Sequence, residues 1–185
     1  MNDFFRQIKE GSYIGNLVYG ANDGIVTTFA IVAGATGALL SPGIIVILGI
    51  ANLLADGFSM GASNFLAVRS EQEMEKRRSK EQGEYVAEKN AHDAAKDGMV
   101  TFFAFIIAGI FPLLPYLVGV PTQYQFGVSA VLAAITFFAV GAARTIVTKG
   151  NVLKTGLEML LVGSIAATVA YVIGWGVKIL FNIVI

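Results

Sequence analysis

Residues 43–73 read GIIVILGIANLLADGFSMGASNFLAVRSEQE. Up to Val68 the only charged side chain is Asp56, and then Arg69, Glu71 and Glu73 arrive together. An apolar run longer than about 18 residues that ends on charge is the mark of a helix crossing a hydrocarbon core of about 30 Å. A helix is demanded because no water is present there to satisfy a bare backbone. Four further runs have the same character, so spans are expected near residues 14–40, 43–68, 98–119, 124–143 and 157–185. The chain of 185 residues is 55% hydrophobic and 14% charged, with 21 glycines. That composition fits a single transmembrane domain over residues 1–185 and no water-soluble fold. The expected fold class is an all-α integral membrane protein with five transmembrane helices.

The charges outside the spans orient them. Arg6 and Lys9 precede the first span; Arg69, Lys76, Arg77, Arg78, Lys80, Lys89 and Lys96 lie between the second and third; Arg144, Lys149 and Lys154 lie between the fourth and fifth. The two remaining connections, near Ser41-Pro42 and from Val120 to Gln123, carry no charge. The excess of Lys and Arg predicts a cytoplasmic amino terminus and a carboxyl terminus on the outer side. The polar first ten residues lead into no short apolar region with a cleavage site, so no cleaved signal peptide is expected.

Several chemistries are excluded at once. The chain has no cysteine, which removes disulfides, thiolate metal sites and iron–sulfur clusters. A formal net charge of zero gives no footprint for nucleic acid. The spans contain no histidine, no cysteine and no serine paired with a base, so the protein is expected not to be an enzyme and to need no cofactor.

The polar stretch 69–97 alternates charges of both signs without proline, with Glu73 to Arg77 and Glu84 to Glu88 at helical spacing. It reads as a cytoplasmic helical connection that continues the second span and turns near Gly83 or Asn90. Pro112 and Pro115 fall at the outer end of the third span, where a kink or termination is tolerated. Small pairs four apart, Gly34 and Ala38, Gly57 and Gly61, Gly163 and Ala167, suit close approach of helices in lipid.

Asp23, Asp56 and Glu158 are the acidic residues expected inside the spans. A charge at the bilayer centre costs at least about 2.5 kcal/mol, so it normally faces a bundle interior or an aqueous path. Asn52, Asp56 and Met60 follow at i, i+4 and i+8, so one stripe of the second helix presents amide, carboxylate and thioether together. Such a set tolerates ferrous iron and related divalent ions, whereas Met60 alone reads as core filling. Asp23, in Asn22-Asp23-Gly24, has two readings: a helix N-cap, or a carboxylate within a span that begins near Ile14. Glu158, one turn from Lys154, suggests an interfacial ion pair more than a metal ligand. His92 reads as solvated. Glu71, Glu75, Glu81, Glu84 and Glu88 offer a cytoplasmic surface that cations can visit, or simply a solvated face.

At these residues the sequence resembles the vacuolar iron transporter family. The stretches YGANDGIVTTFAIVAGATGA (19–38), GIANLLADGFSMGASNFLAVRSEQE (49–73) and TGLEMLLVGSIAATVAYVIG (155–174) carry the resemblance, which covers almost the whole chain. The resemblance implies a five-helix homodimer with an ion path between subunits, lined by the first two helices, and exchange of Fe2+ or a similar divalent ion such as Mn2+ for protons. It implies path roles for Asp23 and Met60. Two departures stand out. Ser63-Asn64-Phe65 replaces a glycine-glutamate-tyrosine motif, leaving Asp56 as a substitute carboxylate, and the connection 69–97 is shorter than the glutamate-rich hairpin that collects metal in iron transporters of the family. The expected function is a proton-coupled transporter exporting Fe2+ or Mn2+ from the cytoplasm, with the lipid bilayer, a second copy and divalent ions as partners. The expected location is the inner membrane of a prokaryote or a vacuolar-type membrane of a eukaryote. The rival reading is a membrane scaffold or partner subunit that no longer captures metal.

Overall fold

The computed structural model describes residues 12–82 and 91–181. Five long helices carry the architecture: α1 Ser12–Gly37, α2 Pro42–Gln82, α3 Ala91–Gly109, α4 Thr122–Ala143 and α5 Val152–Leu180. All five are long and apolar enough to cross a membrane, the third when its extension to Leu117 is included. Among the described residues there is no strand.

Each boundary has a local cause. The α1–α2 turn places Leu39 at φ 59°, and the amide of Leu40 returns to the carbonyl of Ala35 at 2.9 Å, closing the end of α1. The third helix stops at Gly109 because Pro112 and Pro115 cannot donate to the preceding turn. The chain instead passes through a 3₁₀ turn, Phe111–Leu113, and a helical turn, Leu114–Leu117. The Pro112 carbonyl freed there accepts a 2.7 Å bond from the buried Ser129 hydroxyl of α4. After the short turn Thr145–Thr148, Asn151 caps α5, its Oδ1 accepting from the amides of Leu153 and Lys154 at 2.9 and 3.2 Å. The cap explains why α5 begins at Val152, ahead of the apolar run expected from residue 157.

The polar connection is helical on both described sides. α2 continues unbroken to Gln82, with Arg69 and Glu73 paired at 3.6 Å on its exposed surface. The expected turns at Gly83 and Asn90 lie outside the described residues. α3 starts at Ala91, so Asp93, Lys96 and Asp97 belong to the third helix and its candidate span. The helical connection expected to lead into the third span is thus continuous with it from Ala91.

α1 is the hub, packed against α2, α3, α4 and α5. Its Ile25 and Val32 are fully buried, with Phe105 of α3 and Phe137 of α4 completing the core around them. Hydrophobicity does not select these contacts in lipid; backbone proximity does. A Cβ on Gly24 would strike the Phe105 carbonyl, and one on Gly109 would lie 2.7 Å from the Gly24 carbonyl. α1 and α3 therefore cross at glycines on both sides. α1 meets α5 in the same way, where a Cβ on Gly174 would strike the Gly34 carbonyl.

Candidate metal site

α1 runs without interruption from Ser12 through Asp23, so the N-cap reading of Asp23 fails and the span reading holds. At 1.5 Å per residue Asp23 lies about 15 Å above Tyr13, half the depth of a core of about 30 Å. Asp56 lies at similar depth on α2, roughly equidistant from Pro42 and Arg69 by the same rise. The two carboxylates lie within Coulombic reach of each other. Neither is in an ion pair with a described basic residue.

Thr27 links the two helices at this level. Its hydroxyl donates to the Asp23 carbonyl at 2.8 Å and accepts a long, 3.5 Å bond from Asn52 Nδ2. Asn52 and Asp56, one turn apart on α2, thus both face the Asp23 region of α1. Met60, the next residue on the stripe, is half-buried and packs against the core. Asn52, Asp56 and Asp23 are likewise only partly enclosed. Among the described residues no group of three or more His, Asp or Glu converges to hold a metal ion. Asp23 and Asp56 bring two carboxylates to this level, fewer ligands than a divalent ion takes.

The remaining expected residues stand elsewhere. Glu158 is exposed on α5 and lines a groove that includes neither Asp23 nor Asp56. Its expected ion pair with Lys154 does not form. Glu71, Glu75 and Glu81 lie on the exposed polar extension of α2. Glu84 and Glu88 lie outside the described residues, as does the side chain of His92.

A second polar station went unread in the sequence. Asp97 of α3 accepts a 2.8 Å bond from Asn16 of α1 on Oδ1, while its carbonyl accepts from Asn64 of α2 at 3.2 Å and from Thr101 at 3.0 Å. Asn64 also donates to the buried Thr101 hydroxyl at 2.7 Å. Three helices are tied here, about 10 Å below Asp23 along α1. The signal available was Asn16, one of two amides in the first apolar span, together with Asp97 at the foot of the third. Interhelical bonds of this kind contribute about 0.5 to 2 kcal/mol in membranes. Asp97→Asn retains the acceptor for Asn16 and is expected to melt near wild type in detergent, whereas Asp97→Leu is expected to lose about 1 to 2 kcal/mol.

Comparison with known proteins places these features in a group. The sequence pattern described as the VIT family matches residues 14–95 and 79–175. The two matches meet and overlap across 79–95, within the polar connection, as a shortened connection would produce. The chain is 24% identical over 221 residues to a vacuolar iron transporter of Plasmodium berghei (strain Anka), covering 88% of this chain and 81% of that protein. It is 26% identical over 216 residues to vacuolar iron transporter 1 of Arabidopsis thaliana, covering 90% and 86%. It is also 26% identical over 170 residues to vacuolar iron transporter homolog 3 of Arabidopsis thaliana, covering 90% and 84%. An equal share of this chain, 90%, spreads over 216 aligned positions against the first Arabidopsis protein and only 170 against the second. In overall spacing the chain is closer to the homolog.

Proposed function

The chain belongs to the VIT family, a family of membrane transporters and not an enzyme class, and we propose that it carries Fe2+ or Mn2+ out of the cytoplasm in exchange for protons. The observation that supports this most is the pair of carboxylates on two different spanning helices, neither of them in an ion pair with a described basic residue. Two unneutralised carboxylates within spans are costly unless they hold a cation or protons. A carboxylate takes a metal ion or a proton but not both at once, which is the elementary requirement of exchange. Asp23 and Asp56 bind the ion, with Asn52 and Met60 completing the shell. The relatives named vacuolar iron transporters support iron among the candidate ions.

A homodimer fits the same site. The donors of one protomer are only half-enclosed, and exposed Ser59 and Ser63 flank them on α2. Polar groups on a spanning helix seek protein or water and avoid lipid tails, so a second copy packed along α1 and α2 encloses the site and doubles its carboxylates. The cytoplasmic end is the one bearing Arg69 to Lys80 and Arg144 to Lys154, which makes the Asp97 station the intake and the Asp23 level the binding site. The exposed glutamates Glu71 and Glu75 attract cations towards that intake, weakly because the connection is short.

Direction and ion are tested together by expression in cells loaded in turn with Fe2+, Mn2+, Co2+ or Zn2+. Cytoplasmic free Fe2+ or Mn2+, read with a fluorescent indicator, should fall severalfold relative to cells without the protein, while zinc changes little. Unchanged cytoplasmic levels of all four ions would favour the scaffold reading.

A further inference from the structure

A groove of about 680 Å³ opens at the end of the bundle that carries the start of α1, between that helix, the last turn of α4 and the first turns of α5. Its walls are mostly apolar, formed by Ile14, Val18, Val140, Met159, Leu161 and Val162. Leu161 and Val162 are 61% and 54% exposed, so the groove opens sideways onto the surface that faces hydrocarbon in a spanning bundle. Its volume is in the range of sites that hold a small amphiphile. None of Asp23, Asp56, Asn52 or Met60 lines it.

Two opposite charges share this lining, Arg144 after the end of α4 and Glu158 on α5. They form no ion pair with each other, and neither pairs with any other described residue. A separated guanidinium and carboxylate above an apolar slot complement one kind of molecule, a zwitterionic amphiphile. Its phosphate suits the planar fork of Arg144, its ammonium N–H groups suit Glu158, and its acyl chain suits the wall. The Thr155 hydroxyl lies on the same lining. Exposed Tyr19 also lies on the lining.

We propose that this groove is a binding site for a phospholipid with a primary-ammonium zwitterionic headgroup, phosphatidylethanolamine. A choline headgroup has the same net charge but no N–H to donate to Glu158. An anionic glycerol headgroup satisfies Arg144 and leaves Glu158 facing a phosphate of its own sign.

The test is native mass spectrometry of the intact purified protein in detergent doped with phosphatidylethanolamine, phosphatidylcholine or phosphatidylglycerol. Ethanolamine lipid should remain bound about tenfold more than either of the others. Glu158→Gln should lower its retention to the choline level, and Arg144→Ala should weaken both zwitterionic lipids. Val162→Trp, which narrows the slot without altering charge, should lower retention of all three. Each variant is compared at the elution volume of the wild type, so a loss of lipid is separated from a loss of fold. Equal retention of the glycerol and ethanolamine lipids, indifference to Glu158→Gln, or retention of no lipid because a second copy covers the groove, each overturns the proposal.

Discussion

Asp23→Asn is expected to lower divalent metal flux by at least about tenfold, and Asp56→Asn to do the same, with yield and melting of the protein close to wild type. The substitution keeps shape and hydrogen-bonding capacity but removes a negative charge from a mid-membrane site. Charge-assisted contacts contribute about 1.5 to 3 kcal/mol, and each 1.4 kcal/mol is tenfold in binding. The loss is therefore between about tenfold and somewhat over a hundredfold per carboxylate, and larger if the dimer places two copies of each at one ion. Stability is spared because neither carboxylate is in an ion pair with a described basic residue. The link of Asn52 to α1 runs through the Thr27 hydroxyl and the Asp23 backbone carbonyl, which the substitution leaves in place. Initial rates of Mn2+ uptake into vesicles with equal protein content measure the effect. Wild-type rates in both variants would remove these residues from the path.

The second large effect is on assembly. Gly24→Val is expected to destabilise the bundle by about 3 kcal/mol or more, because its Cβ meets the backbone carbonyl of Phe105 and no side chain can move aside. The clash lies one residue from Asp23, so any folded remainder should also lose transport. Gly127→Ala on α4 is the matched control, since a Cβ there meets nothing within 4 Å. Alanine in an exposed helix interior gains up to about 1 kcal/mol over glycine. Thermal melts followed by size-exclusion chromatography should therefore show Gly127→Ala at or above wild type and Gly24→Val far below it. Equal melting of the two variants would mean that α1 and α3 do not cross at glycine.

What the sequence made legible follows from what is local. Five spans are visible because an apolar run needs no knowledge of its neighbours. The stripe Asn52, Asp56 and Met60 is visible because helical spacing alone puts those residues on one face. The role of Asp97 was hidden for the opposite reason. It reads as one more charge of the helical connection until Asn16, 81 positions earlier, is seen to bond it. The two readings of Asp23 could not be separated by inspection of Asn22-Asp23-Gly24. An N-cap and a mid-span aspartate use the same residues, and only the continuity of α1 from Ser12 decides between them. The facing of Asp23 and Asp56 was equally hidden, since it depends on the register between α1 and α2. Glu158 and Lys154 satisfy i, i+4 spacing on α5, yet the side chains do not pair; Glu158 instead lines the groove.

One measurement tests the central claim most directly: Fe2+ or Mn2+ uptake into proteoliposomes holding the wild-type protein, with the lumen acid, neutral or alkaline relative to the bath, against protein-free vesicles. Exchange predicts that an acid lumen, whose protons run outward, drives metal inward severalfold faster than equal pH, and that an alkaline lumen slows it. Metal uptake no faster than in protein-free vesicles at every gradient would contradict the account.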